Sequence, residues 1–331
     1  MINIDRVIDC IVENENFVVT SHVSPDGDNL GSSMAMYHAL EKLGKKVNYV
    51  LDDVAPLNLE FITEGVKKLS SDEFESQGDY IVIALDCGDE FRICIDEDIL
   101  KGAKALVNID HHDTNRGYAD INAVDSKASS TCEMVYRVLN RYKKIYKEGI
   151  IDSDVATCLY TGLVTDTGNF QYSNADEDSF DMARNLIAFG ARKQDVVTRV
   201  FQSNSLNFYR LLGDALNTLE VFESKIASMC ITTDMLSKNE ISSNDIDGVT
   251  PYTRDIEGIE IGILFKQKGD KEFKISLRSK NTVEVSQIAK KFGGGGHVYA
   301  SGCTVHGKLE DVKEMVISEA VKALDDYYDK H

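Results

Sequence analysis

Hydrophobic positions along the chain fall into short runs separated by polar segments rich in Asp and Gly. Residues 17–20 (FVVT), 46–51 (KVNYVL), 80–85 (YIVIAL) and 105–109 (ALVNI) each read as a strand. Runs that are apolar on both faces belong in a parallel sheet covered by helices on both sides. Helical patterns lie between them. Leu30, Met34, Leu40 and Leu43 recur at roughly helical spacing and end at Gly44. Ser129, Ser130 and Thr131 offer caps to a helix reaching Tyr142, and residues 154–164 and 176–189 also read as helices. Residues around 190–220 are mostly helical in pattern. From about Ser224 the character changes to strands (IASMCIT, IEIGILFK, FKISLRS), a helix near 283–291, a glycine loop at 293–296 and a last helix at about 309–327. The expectation is an α/β chain: a parallel-sheet domain with helices on both faces over 1–190, a helical connector over 191–223, and a smaller α/β domain over 224–331.

Charge narrows the function. The 331 residues carry 36 Lys and Arg against 55 Asp and Glu, a net of −19. A broad grip on long duplex nucleic acid needs many cations to displace counterions, so it is excluded, whereas a small phosphorylated substrate held at one place is not. Residues 266–291 run against the trend, with eight Lys and Arg to three Asp and Glu. No apolar run approaches the ~20 residues of a membrane span, and the N-terminal residues lack the pattern of a signal peptide. Seven scattered cysteines, without a C-x-x-C pair, fit reduced thiols and a cytoplasmic protein.

Candidate chemistry gathers in polar motifs after the apolar runs. The first is Ser21-His22-Val23-Ser24-Pro25-Asp26-Gly27-Asp28, between a strand and a helix, where open α/β sheets bind ligands. One imidazole and two carboxylates suit a hard divalent cation; an Asx turn capping the next helix through Asp28 or Asn29 is the plainer reading. Asp86 ends the YIVIAL strand, as a cap or as a ligand. Asp110-His111-His112-Asp113-Thr114-Asn115 ends the ALVNI strand, and its two histidines can divide roles, one on a metal and one facing substrate; a polar turn is the alternative. Asp166 closes an apolar helix, where the macrodipole disfavours an anion and a cation would compensate. Together His22, Asp26, Asp28, Asp86, Asp110, His111, His112 and Asp166 offer more carboxylate than one cation needs, so a two-metal site is the economical account. A His and Asp set without Cys points to Mn²⁺ or Mg²⁺ before structural Zn²⁺. A final motif, Phe292-Gly293-Gly294-Gly295-Gly296-His297, lets backbone N–H groups approach an anion, and nearby Arg278 can fork onto a phosphate. A flexible turn and a basic edge strand are the plainer readings.

In order and spacing, SHVSPDGD, DHHDTN and TDTGNFQYSN resemble the first domain of the DHH phosphoesterase family, and RSK with GGGGHVYASG resembles its C-terminal DHHA1 domain. The resemblance spans essentially the whole chain and looks most like the subgroup that joins oligoribonuclease (nanoRNase) and pAp phosphatase activities. It implies two Mn²⁺, with Mg²⁺ or Co²⁺ as substitutes. One would take His22, Asp26 and Asp86, the other Asp28, Asp86, His111 and Asp166, so that Asp86 bridges. It implies Asp110, Asp86 and His112 as the catalytic set, with Asp110 orienting the histidines and His112 on the substrate side. It also implies Asn115, Arg278, Ser279, Gly294, Gly295, Gly296 and His297 as substrate contacts. Cys87-Gly88 after Asp86 departs from the small hydroxyl residues common there.

The expected reaction is hydrolysis of short single-stranded RNA or DNA, about two to five nucleotides in a site closed at one end, to 5′-mononucleotides. The second substrate is 3′-phosphoadenosine 5′-phosphate (pAp), yielding AMP. Two other readings share the motifs: a hydrolase acting mainly on the linear dinucleotides pApA and pGpG, and a non-catalytic nucleotide sensor. A homodimer is one expected assembly, and no long duplex or membrane is an expected partner. Aromatic stacking is expected to hold a base, without the sequence choosing which Tyr or Phe does so.

Overall fold

A computed structural model of the chain describes residues 3–76, 78–147, 149–243, 246–280 and 283–329, apart from the side chains of Asp247 and His297. Two compact units meet in sequence at Ser203 and Asn204. The first contains α1 (Ile4–Glu13), β1 (Asn16–Ser21), α2 (Gly27–Lys42), β2 (Lys46–Val50), β3 (Lys68–Leu69), β4 (Ile81–Leu85), α3 (Glu97–Gly102), β5 (Ala105–Asp110), β6 (Ile121–Val124), α4 (Thr131–Tyr146), α5 (Ser153–Asp166), α6 (Glu177–Ala188) and α7 (Lys193–Phe201).

Its six strands are all parallel, in the order β3-β2-β1-β4-β5-β6. The chain steps outward from β1 to β3, then returns to the other side of β1 as β4. That reversal is the switch point at which doubly wound sheets open a crevice at their carboxyl ends. Side chains alternate between two cores, as a sheet covered on both faces requires. Phe17, Val19, Ile81, Ile83, Leu85, Val107 and Ile109 share one core with residues of α1, α2, α4 and α5. Val18, Val50, Val82 and Ala84 share the other with Tyr80, Ile93, Ile95 and Ile99.

Helix α2 is buried without interruption from Gly27 to Met36, so its apolar positions follow no single stripe. It starts with Asp26 as N-cap, whose Oδ1 accepts the N–H groups of Asp28 and Asn29 at 3.1 and 3.0 Å. The cap is therefore Asp26 rather than Asp28 or Asn29, because the Asp28 carboxylate turns instead to the first amides of α4. Glycines bring α2 close to α5. A Cβ on Gly31 would meet the Cys158 carbonyl at 2.6 Å, and one on Gly162 would meet Asp28 Oδ1 at 2.6 Å.

The helices of 191–223 divide between the units. Val196 of α7 is buried in the first unit's core. In the second unit, α8 (Leu206–Leu216) packs Phe208, Leu211, Leu212 and Ala215 with Met229, Ile231 and Leu264. There follow β7 (Glu220–Phe222), β8 (Ile226–Ile231), α9 (Thr233–Lys238), α10 (Pro251–Arg254), β9 (Ile261–Gly269), β10 (Glu272–Ser279), α11 (Val285–Lys291), β11 (Gly295–His297), β12 (Ala300–His306) and α12 (Leu309–Tyr328). These strands form a mixed sheet, β11-β12-β10-β9-β8-β7, in which only β8 and β9 pair in parallel. One face packs against α11 and α12. The glycine segment differs from the expected loop: Gly295–His297 is an edge strand paired with β12, and a Cβ on Gly296 would strike the Ala300 carbonyl at 2.7 Å. No helix among the described residues is long and apolar enough to cross a membrane.

Replacing Gly162 with Ala should force α5 away from α2 and displace the Asp28 carboxylate. The expected outcome is a loss of about 1–3 kcal/mol in urea unfolding, together with weaker divalent-cation binding. An unchanged unfolding midpoint would mean that the contact yields freely.

Candidate metal centre

Sheet register builds the site. Ser21 pairs with Leu85, and Leu85 pairs with Ile109. The next residues, His22, Asp86 and Asp110, therefore stand in one row across the carboxyl ends of β1, β4 and β5. Asp86 leaves its strand with φ 60°, a left-handed conformation that Asp tolerates better than most residues. Its N–H donates to the Ile109 carbonyl at 3.0 Å. The strained turn at a strand end aims a carboxylate into the crevice.

Among the described residues three overlapping ligand-like groups result: His22, Asp26 and Asp86; Asp28, His111 and Asp166; and Asp86, His111 and His112. Asp86 Oδ2 lies 3.2 Å from His22 Nε2, while Asp86 Oδ1 lies 3.8 Å from His111 Nε2. One oxygen of this carboxylate thus faces His22, and the other faces the two histidines after β5, His112 Nδ1 lying 3.6 Å from Oδ1. His111 Nε2 is also 3.4 Å from Asp166 Oδ2 and 3.9 Å from Asp28 Oδ2, and His22 Nε2 is 4.0 Å from Asp26 Oδ2.

Outer partners fix these groups. His22 Nδ1 lies 2.7 Å from the Val23 carbonyl and His111 Nδ1 lies 3.1 Å from the Ala128 carbonyl. Donating those Nδ1 protons turns both Nε2 atoms toward the carboxylates, the usual arrangement around metal-binding imidazoles. Thr131 Oγ1 donates to Asp86 Oδ1 at 2.8 Å. Asp28 accepts the N–H groups of Thr131 and Cys132 at 2.6 and 2.8 Å, at the positive end of α4. His112 Nδ1 sits 2.8 Å from Asp110 Oδ1, and Asn115 donates to Asp110 Oδ2 at 2.6 Å and to Asn108 Oδ1 at 2.7 Å. The Asn115 carbonyl oxygen accepts from Gly117 N–H at 2.8 Å. Asn115, expected against substrate, is engaged at both ends of its amide in holding Asp110 and the following turn.

Thr131 and the Ala128 carbonyl were not singled out as parts of the site. The Ser129-Ser130-Thr131 run signals a helix start, and Ser130 is the cap, accepting from Glu133 N–H at 3.1 Å. A cap pattern carries no sign that the next hydroxyl reaches a residue 45 positions earlier.

The electrostatics are those of buried anions sharing too few positive charges. Burial pushes the Asp28 carboxyl far up, and Asp86 and Asp166 push it further. Burial likewise raises Asp166, to about 7, against the pull of His111. For His111, burial alone would favour the neutral ring, but the Asp166, Asp28 and Asp86 carboxylates override it and hold the imidazole up at about 10. His112 is held at about 9 in the same way, chiefly by its bond to Asp110. Asp86 bears the opposite shift: burial would raise it, but His22, His112 and His111 together hold it well below the usual carboxylate range. The protons on the histidines occupy the place that divalent cations would take. A set of oxygens and imidazole nitrogens without cysteine fits hard cations.

In the second unit, pairing sets Arg278 opposite Ala300, and Ala300 opposite His297. Ser276, Gly302 and Gly295 form the adjacent row on the same face. A Cβ on Gly295 would meet nothing within 4 Å, so this face is open beside Arg278. Ser279 lies on the opposite face, buried, its Oγ accepting the Val283 N–H at 3.2 Å. Gly294 is required by packing, since a Cβ there would enter the space of Gly302 and Cys303. The side chain of His297 lies outside the described residues.

A doubly wound sheet with histidines and aspartates clustered at its switch point is the architecture of a metal-dependent phosphoesterase. The chain belongs to the DHH family with a DHHA1 domain: residues 16–163 match the DHH family, N-terminal domain, and residues 224–328 match the DHHA1 domain. A bifunctional oligoribonuclease and PAP phosphatase NrnA from Thermus thermophilus is 31% identical over 315 residues, covering 94% of this chain and 90% of its own length. The protein of the same name from Bacillus subtilis is 27% identical, covering 88% and 90%. Among solved structures, an exopolyphosphatase-related protein from Bacteroides fragilis superposes with a TM-score of 0.85 at 28% identity, covering 98% of this chain and 96% of its own.

The shifted groups predict how pH acts on the metal-free protein. His111 and His112 keep protons to about 10 and about 9 when folded, against 6.5 ordinarily, so their stabilisation is full below 6.5 and vanishes as pH rises through 9 to 10. Asp166, raised from 3.8 to about 7, acts in the same sense over a lower window. Asp86 and Asp110, held low, lose their contribution only in acid. Protein stripped with a chelator should therefore melt at a lower temperature at pH 9 than at pH 6, and saturating Mn²⁺ should remove the difference by replacing the protons. Equal melting temperatures at both pH values in chelator would contradict these assignments.

Proposed function

We propose that this phosphoesterase hydrolyses short oligonucleotides, about two to five residues long, to 5′-mononucleotides, and pAp to AMP, with two divalent cations, Mn²⁺ being the first choice. The observation that carries this reading is the single Asp86 carboxylate whose Oδ2 faces His22, beside Asp26, and whose Oδ1 faces His111, beside Asp28 and Asp166. His22, Asp26 and Asp86 would hold one ion, and Asp28, Asp86, His111 and Asp166 the other. When bound, such ions lower the pKa of water and clamp the oxygens of an in-line displacement.

Both substrates end in the same chemistry. Water adds to phosphorus, the bond from phosphorus to a 3′-oxygen breaks, and that oxygen leaves needing a proton. His112 is the group to which we assign that proton. Its Nδ1 is tied to Asp110, which orients the ring and supports its positive charge, and the ring is partly exposed. Asn115 acts here as a positioning residue, holding Asp110 rather than substrate. In the second unit, Arg278 with the open backbone at Gly295 binds a phosphate of the substrate, with Gly294, Gly296 and Ser279 shaping the hairpin beneath.

The names of the Thermus and Bacillus relatives favour oligoribonucleotides and pAp over longer substrates. The net charge of −19, with positive charge concentrated at 266–291, supports a local hold on a small anion. A preference for pApA or pGpG is a narrower version of this activity and would emerge from the same substrate series.

With Mn²⁺, products from 5′-labelled RNA of graded length and from pAp should show efficient cleavage only of the shortest chains and release of AMP. Asp86→Asn should abolish both activities. His112→Asn should lower kcat about 10²- to 10⁴-fold while leaving Mn²⁺ binding nearly unchanged. Cleavage of long RNA as readily as of dinucleotides would overturn the size limit, and activity in Asp86→Asn would overturn the metal assignment.

A further inference from the structure

Phe91 is 93% exposed, the most exposed large hydrophobic among the described residues. A single exposed apolar side chain is ordinary by itself, but this one stands on a rigid mount beside the metal centre. A short turn, Glu90–Arg92, follows the Asp86 loop and is capped by Asp89, whose Oδ1 accepts the Phe91 N–H at 3.0 Å. The Arg92 carbonyl accepts the Val23 N–H at 2.9 Å, Ile93 forms an antiparallel bridge with His22, and the Cys94 N–H donates to the Ser21 carbonyl at 2.8 Å. Phe91 is thus fastened to the same backbone that carries His22.

Arg92 completes the arrangement. Its Nη2 lies 3.3 Å from His22 Nδ1. Because Nδ1 is nearer the Val23 carbonyl, at 2.7 Å, and donates its proton there, the imidazole offers this guanidinium no acceptor. Among the described residues Arg92 makes no ion pair with a carboxylate, although the neighbouring loops are rich in Asp and Glu. An exposed guanidinium at the edge of a cation-binding cluster is suited to a phosphate oxygen, and a flat exposed ring one residue away is suited to a base.

We propose that the Phe91–Arg92 turn is a nucleotide clamp of the catalytic unit, Phe91 stacking on a base and Arg92 holding a phosphate of the same substrate. This rests on the reading of the site as a nucleotide hydrolase and supplies the base contact that the ligand cluster lacks. Stacking on a π-face tolerates every base, so the clamp selects for nucleotides without selecting sequence.

The test compares wild type, Phe91→Ala, Phe91→Trp and Arg92→Gln on a 5′-phosphorylated dinucleotide and on the same dinucleotide lacking its bases, with Mn²⁺ binding measured in parallel. Phe91→Ala should raise KM for the normal dinucleotide about 10-fold or more and leave the abasic one and Mn²⁺ binding unchanged, while Phe91→Trp restores wild-type KM. Arg92→Gln should raise KM for both substrates. Equal KM for wild type and Phe91→Ala on the normal dinucleotide, or an equal loss on the abasic one, overturns the clamp while the functional reading stands. A wild-type enzyme that hydrolyses neither dinucleotide nor pAp overturns that reading, and the clamp with it.

Discussion

Three nearly dehydrated carboxylates, Asp28, Asp86 and Asp110, lie within reach of one another at the end of one sheet, and much of the first unit is arranged around that cost. Buried anions must be paired or hydrogen-bonded. Asp28 is met by the first amides of α4, Asp110 by Asn115 and His112, and Asp86 by Thr131 and three imidazoles. The partners come chiefly from two places, the start of α4 and the turn after β5. The start of α4, the turn after β5 and the close approach of α2 to α5 at Gly162 therefore serve one electrostatic purpose as well as packing. Even so, burial and the neighbouring Asp86 and Asp166 carboxylates hold Asp28 above the normal carboxylate range.

Much of this was legible in the sequence because parallel sheets place chemistry at strand ends. The YIVIAL and ALVNI runs announce buried strands, and the Asp that ends each one falls at the carboxyl edge of the sheet. The Ser-His-Val-Ser-Pro-Asp segment occupies the same edge on β1, so three motifs distant in sequence had to meet once the sheet was doubly wound. What could not be read was tertiary. Asp28 and Asn29 are the caps that spacing suggests, and only the position of α4 shows why Asp26 caps while Asp28 faces inward. Nothing in the sequence shows that the Asn115 amide hydrogen-bonds Asp110. The glycine segment reads as a loop because glycine is a poor strand former, yet β12 offers Gly302 opposite it and the two backbones pair closely.

The adjacent histidines illustrate how a local pattern gains direction. His111 and His112 leave the end of β5 with their rings at 66° to each other. The Ala128 carbonyl takes Nδ1 of His111 and turns its Nε2 toward three carboxylates. Asp110 takes Nδ1 of His112 and leaves that ring, of the three carboxylates, beside Asp86, at 3.6 Å. Neither role follows from the pair itself. Each is set by which acceptor lies behind the ring.

Register is the element that leaves least freedom. His22, Asp86 and Asp110 are neighbours because β1, β4 and β5 end at the same level, one residue beyond the paired Ser21, Leu85 and Ile109. In a sheet with both faces buried, a slip of one residue would turn Phe17 and Val19 onto the face of Val18 and exchange the contents of the two cores. The apolar alternation that fixes the cores thus also fixes the level at which the row of polar residues stands. Fold and chemistry are specified by the same residues: the packing of Val82 and Ile83 on opposite faces of β4 determines where Asp86 emerges, and with it which histidines its oxygens can face.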